Sequence, residues 1–271
     1  SGPQDRDETI FGHKPYAVIA DYLTKKGFAV LRVDDRGTGK TTGNFSTAST
    51  ADFANDVEAA INFLKTQVPV DTSHIGLIGH SEGGMIAPMV AARRKDIKSI
   101  VLLAAPGIPI LQLMQEQIEA VGISSGENPE KVKSGVELFS ITAKELLKST
   151  DTLIIQENIR KKINEWANKK DTSYLKQMEM ATTAQRNLYI SSQVSALNAN
   201  WYRYFLGFDP GQYLIKLNCN VLAVNGSKDI QVLAASNLAG IKASLKKSKS
   251  AQYEVIEIPG LNHLFQTCKT C

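Results

Sequence analysis

The sequence has 271 residues, 43% apolar and 21% charged, enough for one large domain or two small ones with a sizeable core. Its 31 basic against 27 acidic residues leave a net charge of +4, which argues against a disordered chain and gives no basic footprint for nucleic acid. No apolar stretch reaches the ~18 residues of a membrane span and no signal peptide is visible, so the chain as given reads as a soluble globular protein.

Ser1-Gly2-Pro3-Gln4-Asp5-Arg6-Asp7 is a turn sequence of the kind that follows a strand. No strand precedes it, so further strands are expected upstream of residue 1, and the missing helix after Leu264-Phe265 makes both ends read as cut. Phe28–Val33 is a β-branched apolar run, predicted as a buried strand and ended by the turn-rich residues 34–43. Ala51–Gln67 places Phe53, Val57, Ile61 and Leu64 on one helical face. Ile75–Gly79 predicts a second strand, followed at once by a small-residue helix from Ser81 to about Arg94. Ile100–Ala104 predicts a third.

Residues 107–208 break this alternation. Ile110, Leu113, Met114, Ile118 and Val121 follow helical spacing, as do Ile155, Ile159, Ile163 and Trp166, and no strand-like run interrupts them. Met178, Met180, Trp201, Tyr202 and Phe205 are expected as helix core. Val221–Val224 and Tyr253–Ile258 then resume the strands. Strands apolar on both faces, alternating with helices, predict a mostly parallel sheet flanked by helices, an α/β fold. The expected organisation is a core of residues 1–106 and 209–271 with a helical cap insertion at 107–208.

Gly79-His80-Ser81-Glu82-Gly83 matches G-x-S-x-G. That pattern exposes a serine on a strained turn from strand to helix, with small neighbours relieving clashes, and here strand and helix flank it as required. A serine hydroxyl needs an adjacent base. Of four histidines, His80 neighbours the serine, His74 precedes a strand at the other end of the sheet and His13 lies in the first turn region. His263, in Pro259-Gly260-Leu261-Asn262-His263, follows the last strand, at the edge where ligands gather, and is the expected base. The acid that orients it should lie between serine and histidine in the chain. Asp229, after the strand Val221–Val224 in Asn225-Gly226-Ser227-Lys228-Asp229, fills that position.

These three segments resemble the elbow, acid loop and histidine loop of the α/β-hydrolase superfamily, and in particular its capped bacterial serine esterases, which are related to prolyl-oligopeptidase-like and dienelactone-hydrolase-like enzymes. Val33-Asp34-Asp35-Arg36-Gly37-Thr38-Gly39 is similar to the family's D-x-R-G-x-G segment, and Gly2-Pro3-Gln4-Asp5-Arg6-Asp7 resembles its oxyanion loop. The resemblance implies hydrolysis of small to medium carboxylic esters through an acyl-enzyme on Ser81, with His263 and Asp229 completing a catalytic triad. Backbone N–H groups of Glu82 and of Gln4 or Gly2, Gln4 preferred, would form the oxyanion hole. It implies no cofactor and no metal, and a small-molecule ester as partner. Oligomeric state and compartment, cytoplasmic or exported, stay open.

Two other readings accompany it. One is a serine peptidase of the prolyl-oligopeptidase type, although those enzymes usually place an aromatic residue where Glu82 stands. The other is a non-catalytic binding module on the same fold. Several short patterns point elsewhere without support. Gly37-Thr38-Gly39-Lys40-Thr41 shares the end of a phosphate-binding loop, but Asp34 stands where its first glycine belongs. Asn44-Phe45-Ser46 matches a glycosylation acceptor by length alone, and Lys246, Lys247 and Lys249 read as a solvated run. Cys268 and Cys271 form a terminal C-x-x-C lacking the strand and helix of a redox motif, and with Cys219 the cysteines number three, so at least one cannot pair within the chain.

Overall fold

The computed structural model describes residues 4–250 and 252–269. By internal contacts the chain divides into two compact units. One comprises Ser1–Pro106, Pro210–Val224 and Gly240–Ile256, and the other Gly107–Asp209, Asn225–Ala239 and Glu257–Cys271.

Among the described residues four strands, β1 (Ile75–His80), β2 (Ile97–Leu103), β3 (Asn220–Gly226) and β4 (Tyr253–Ile258), form one sheet in that spatial order. β1 pairs parallel with β2, and β2 with β3, with Leu77 opposite Ile100 and Ile100 opposite Val221. Parallel neighbours need a crossover between them, and the helices supply it. In the first unit α1 (Pro15–Lys25) and α2 (Thr50–Leu64) precede β1, while α3 (Gly83–Arg93) joins β1 to β2. α3 packs on both of these strands and α2 packs on α3. Met85, Met89 and Val90 of α3 are fully buried, as are Ile100 and Leu102 of β2, apart from about 1% of each. Burial of each such side chain contributes roughly 1.5–3 kcal/mol. The α/β class and the four later strands agree with the sequence expectation.

The strand expected at Phe28–Val33 does not form. A strand exists through its ladder, and among the described residues no segment pairs with this one. Its side chains are correspondingly uncovered, with Phe28 61% and Val33 51% exposed.

The second unit is helical: α4 (Ile110–Ser124), α5 (Pro129–Lys148), α6 (Thr152–Ala167), α7 (Thr172–Gln177), α8 (Thr183–Leu197) and α9 (Asn200–Leu206). α10 (Gly211–Leu214) and α11 (Ala234–Leu245) follow in the chain. Ile155, Ile159 and Ile163 recur every fourth residue on α6 and are fully buried against Leu138 and Leu146 of α5 and Ile190 of α8. Asp151 caps α6 by accepting the N–H groups of Leu153 and Ile154 at 2.9 and 3.2 Å. Trp166 keeps its indole N–H satisfied on Glu137 Oε2 at 2.6 Å. Met180 lies in this core, and Trp201 stacks on Phe205 with ring centres 4.9 Å apart. The buried Glu145 carboxylate accepts Lys148 and Lys162 at 2.7 and 2.9 Å. Burial pushes its carboxyl up, and the two ammonium groups more than offset this, so it titrates below the ordinary range. Among the described residues no helix is long and apolar enough to cross a membrane.

Candidate active site

In the first unit the turn from β1 to α3 is built by close backbone approach. Ser81 holds a left-handed φ of +53° between the two elements, a conformation costly for a residue with a Cβ. Its N–H donates to Leu103 O of β2 at 2.9 Å, and Gly84 N–H donates to Ser81 O at 2.9 Å. A Cβ on Gly79 would lie 2.1 Å from Gly83 O, and one on Gly84 would lie 2.3 Å from Ala105 Cβ. Gly83 itself has nothing within 4 Å of its missing Cβ. Gly79 and Gly84 therefore fix the turn, whereas Gly83, the motif's own second glycine, is sterically free.

Glu82, the residue after Ser81, begins α3 from a buried position. Its carboxylate accepts the Thr50 hydroxyl at 2.7 Å, which ties the start of α3 to the first turn of α2. Sequence reasoning assigned Glu82 only a backbone role. An acidic residue in an otherwise small, apolar helix start was the available signal.

Residues 4–8 pack on the turn 34–43 within the same unit. Arg6 donates to Asp34 through its backbone N–H at 2.8 Å and its guanidinium at 2.7 and 2.9 Å. That fork holds the Asp34 carboxyl below the usual range. A Cβ on Gly39, at φ +60°, would meet Asp34 Oδ2 at 2.7 Å. Arg36 grips Asp56 of α2 at 2.6 and 2.7 Å. The D-x-R-G-x-G segment thus serves as a brace for the N-terminal loop. Gln4 N–H donates to the Asp35 carboxylate at 3.1 Å, and Asp35 N–H returns a bond to Gln4 O at 3.0 Å. The amide expected at the oxyanion hole is therefore committed to Asp35 in this structure. Burial raises the Asp35 carboxyl against the lowering effect of the Gln4 N–H, with the Glu82 charge adding to the rise. Gly2, the alternative donor, lies outside the described residues, as do Ser1, Pro3 and Cys271.

The second unit carries the other two predicted residues. β3 ends at Gly226, where a Cβ would lie 2.2 Å from Leu261 O, so the loops after β3 and β4 run in contact. Lys228 N–H donates to Leu261 O at 2.9 Å and Ser227 N–H to Ile258 O at 2.9 Å. This brings Asp229 and His263, 34 residues apart in sequence, to 2.8 Å between Oδ2 and Nδ1. Both are buried, at 4% and 8% exposure. The other oxygen, Oδ1, accepts the N–H groups of Gln231 and Val232 at 2.8 and 2.9 Å. A carboxylate so held fixes the ring with Nδ1–H toward it and Nε2 as the basic nitrogen. A cavity of about 300 Å³ opens beside His263, walled by α4 through Gln117 and Val121 and by residues of the two loops.

The remaining histidines are engaged elsewhere. His80 Nδ1 stands 3.9 Å from buried Glu8 Oε2, exposed His74 meets Asp71 at 2.8 Å, and His13 bridges to Ile10 through its backbone.

Comparison with known proteins bears on the family and the fold. Residues 13–152, just over half of the chain, match the family described as serine aminopeptidase, S33, a stretch that contains Ser81. Esterase EstD of Thermotoga maritima is 32% identical over 128 residues, 46% of this chain and 30% of EstD. An uncharacterised 31.7 kDa protein of Escherichia coli is 27% identical over 147 residues, 52% of this chain and 51% of that protein. The matches thus span about a third to a half of these relatives' length. Among solved structures, the Pyrococcus furiosus esterase PF2001 aligns over 94% of this chain and 69% of its own, with TM-score 0.54 and 15% identity. Est1E of Butyrivibrio proteoclasticus, solved with ferulic acid bound, aligns over 98% and 79%, with TM-score 0.53 and 18% identity. The chain is a member of the serine aminopeptidase S33 family, with the α/β-hydrolase fold.

Proposed function

We propose that the chain is a serine hydrolase that cleaves carboxylic esters of small to medium acyl groups. The observation that carries this reading is the buried 2.8 Å contact of Asp229 with His263 Nδ1, the arrangement a general base needs. In this reading Ser81 attacks the acyl carbon as His263 Nε2 takes its proton. His263 then returns that proton to the leaving alcohol; water, deprotonated by the same imidazole, attacks the acyl carbon, and the imidazolium gives the proton back to Ser81 Oγ as the acid departs. Asp229 stabilises the imidazolium that forms in each half-reaction. The strained φ of Ser81 supports its role as nucleophile. The Glu82 N–H, at the start of α3, is the first oxyanion donor, and its anchorage on Thr50 holds that peptide in place. Gln4 supplies the second when its N–H exchanges the Asp35 carboxylate for the oxyanion. The helical segment 107–208 acts as a cap, and a cavity of about 300 Å³ at the small end of ligand sites suits a modest acyl or alcohol group.

The family match favours peptide bonds as a second reading. Hydrolysis of p-nitrophenyl butyrate, compared with proline-containing dipeptide p-nitroanilides, separates the two. The esterase reading expects ester turnover that Ser81→Ala abolishes. Anilide turnover without ester turnover overturns it in favour of the peptidase, and ester turnover unchanged in Ser81→Ala overturns the nucleophile.

A further inference from the structure

We infer that Lys228 makes the cavity beside His263 a subsite for a carboxylate carried on the substrate, so that the preferred esters are monoanionic. This rests on the esterase reading for its chemistry, but the subsite itself stands on the walls of the cavity. Among the described residues eight line it, and none of these is acidic. Lys228 is the one lysine or arginine among them, and Gln117, Gln231 and Asn262 bring amide groups able to donate N–H bonds. Val121, Ile230 and Leu264 supply an apolar wall on which a short methylene chain can lie.

Among the described residues, the neighbouring carboxylates form their hydrogen bonds with other partners. Asp229 spends Oδ2 on His263 and Oδ1 on two backbone N–H groups, all within a buried setting. Glu116, one residue before Gln117 on α4, accepts Ser236 Oγ at 2.5 Å and the Gln112 amide at 2.9 Å. A cation, three amides and an aliphatic wall around about 300 Å³ form the complement of a carboxylate on a two- or three-carbon chain. His263 lines the same cavity, so a ligand anchored there through its carboxylate lies next to the imidazole. The Lys228 backbone N–H is bonded to Leu261 O at 2.9 Å, which fixes the stretch of loop from which its exposed side chain rises.

The test measures binding by calorimetry to the full chain carrying Ser81→Ala, with succinamate as the anionic probe and succinamide as its neutral counterpart. Succinamate is expected to bind about fivefold more tightly, the upper end of what a solvent-accessible ion pair supplies. Lys228→Gln should erase that ratio, Lys228→Arg should keep it, and raising the salt to about 1 M should shrink it. Equal binding of the two probes, binding of neither, or a ratio untouched by Lys228→Gln overturns the subsite. A parallel assay of monoethyl succinate against ethyl butyrate with the unsubstituted chain separates the two readings. Lys228-dependent binding without hydrolysis of either ester would sink the esterase and leave the subsite, and hydrolysis with no preference for the anion would do the reverse.

Discussion

The elbow around Ser81 and the loop pair carrying Asp229 and His263 both begin where a strand ends, yet they achieve their geometry by different means. At the elbow the backbone does the positioning. Ser81 takes a φ of +53°, and the missing Cβ atoms of Gly79 and Gly84 admit Gly83 O and Ala105. In the loop pair, side-chain chemistry does it. One carboxylate accepts two backbone N–H groups and an imidazole, and so fixes two loops against each other. The elbow should therefore break when a methyl group is added, and the loop pair when a charge is removed.

Removing the proposed nucleophile is expected to give the largest effect. Ser81→Ala should lower kcat for an activated ester by about 10³–10⁶, as when a member of such a triad is deleted, with circular dichroism unchanged. Steady-state kinetics at enzyme concentrations high enough to see the residue of activity checks it. In the loop pair, Asp229→Asn keeps the shape but lets the amide present N–H to Nδ1, favouring the wrong tautomer. A fall in kcat of about 10⁴ with little change in KM is expected. A KM effect alone would assign Asp229 to loop structure.

Adding a methyl group tests the elbow. Gly84→Ala drives a Cβ to 2.3 Å from that of Ala105 and 2.9 Å from its backbone, so a loss of about 1–3 kcal/mol in urea unfolding is expected. Gly83→Ala meets nothing within 4 Å and sits at the start of α3, where alanine favours the helix. It should leave stability unchanged or raise it by up to about 1 kcal/mol. Equal losses at the two positions would contradict the steric account.

The smallest effect lies in the helical unit, at Glu145. Its carboxyl is depressed in the folded chain, so its contribution is fully present above the unfolded value of about 4.3 and fades as the pH falls through the folded one. Lys148 and Lys162 are 59% and 44% exposed, so solvent screening limits the contribution to about 1 kcal/mol or less. Urea midpoints of the native chain and Glu145→Gln should differ at pH 7 and draw together as the pH falls below the unfolded value. A gap that is constant with pH would deny the ion pairs any part in it.

How far the sequence discloses this protein follows the same division. The elbow is contiguous, so Gly79–Gly84 and its flanking strand and helix could be read directly, and so could the period-four isoleucines of α6. Asp229 and His263 could be placed only by their position after strands, because nothing local shows that Lys228 and Leu261 join backbones. The run Phe28–Val33 misleads, since its pattern states what a strand needs while its ladder depends on a partner elsewhere. The brace of Arg6 on Asp34 and the engagement of Gln4 with Asp35 join residues about thirty apart through single side chains, which no periodicity encodes. Glu82 buries its carboxylate on Thr50, a pairing visible only once α2 and α3 are packed.

The central claim is that His263, oriented by Asp229, activates Ser81. Treating the chain with a fluorophosphonate and locating the adduct by peptide mass spectrometry tests it most directly. A single adduct on Ser81 is expected, lost in His263→Ala and strongly slowed in Asp229→Asn. An adduct on Ser81 that forms equally fast in both variants, or an adduct on another residue of the folded chain, would contradict it.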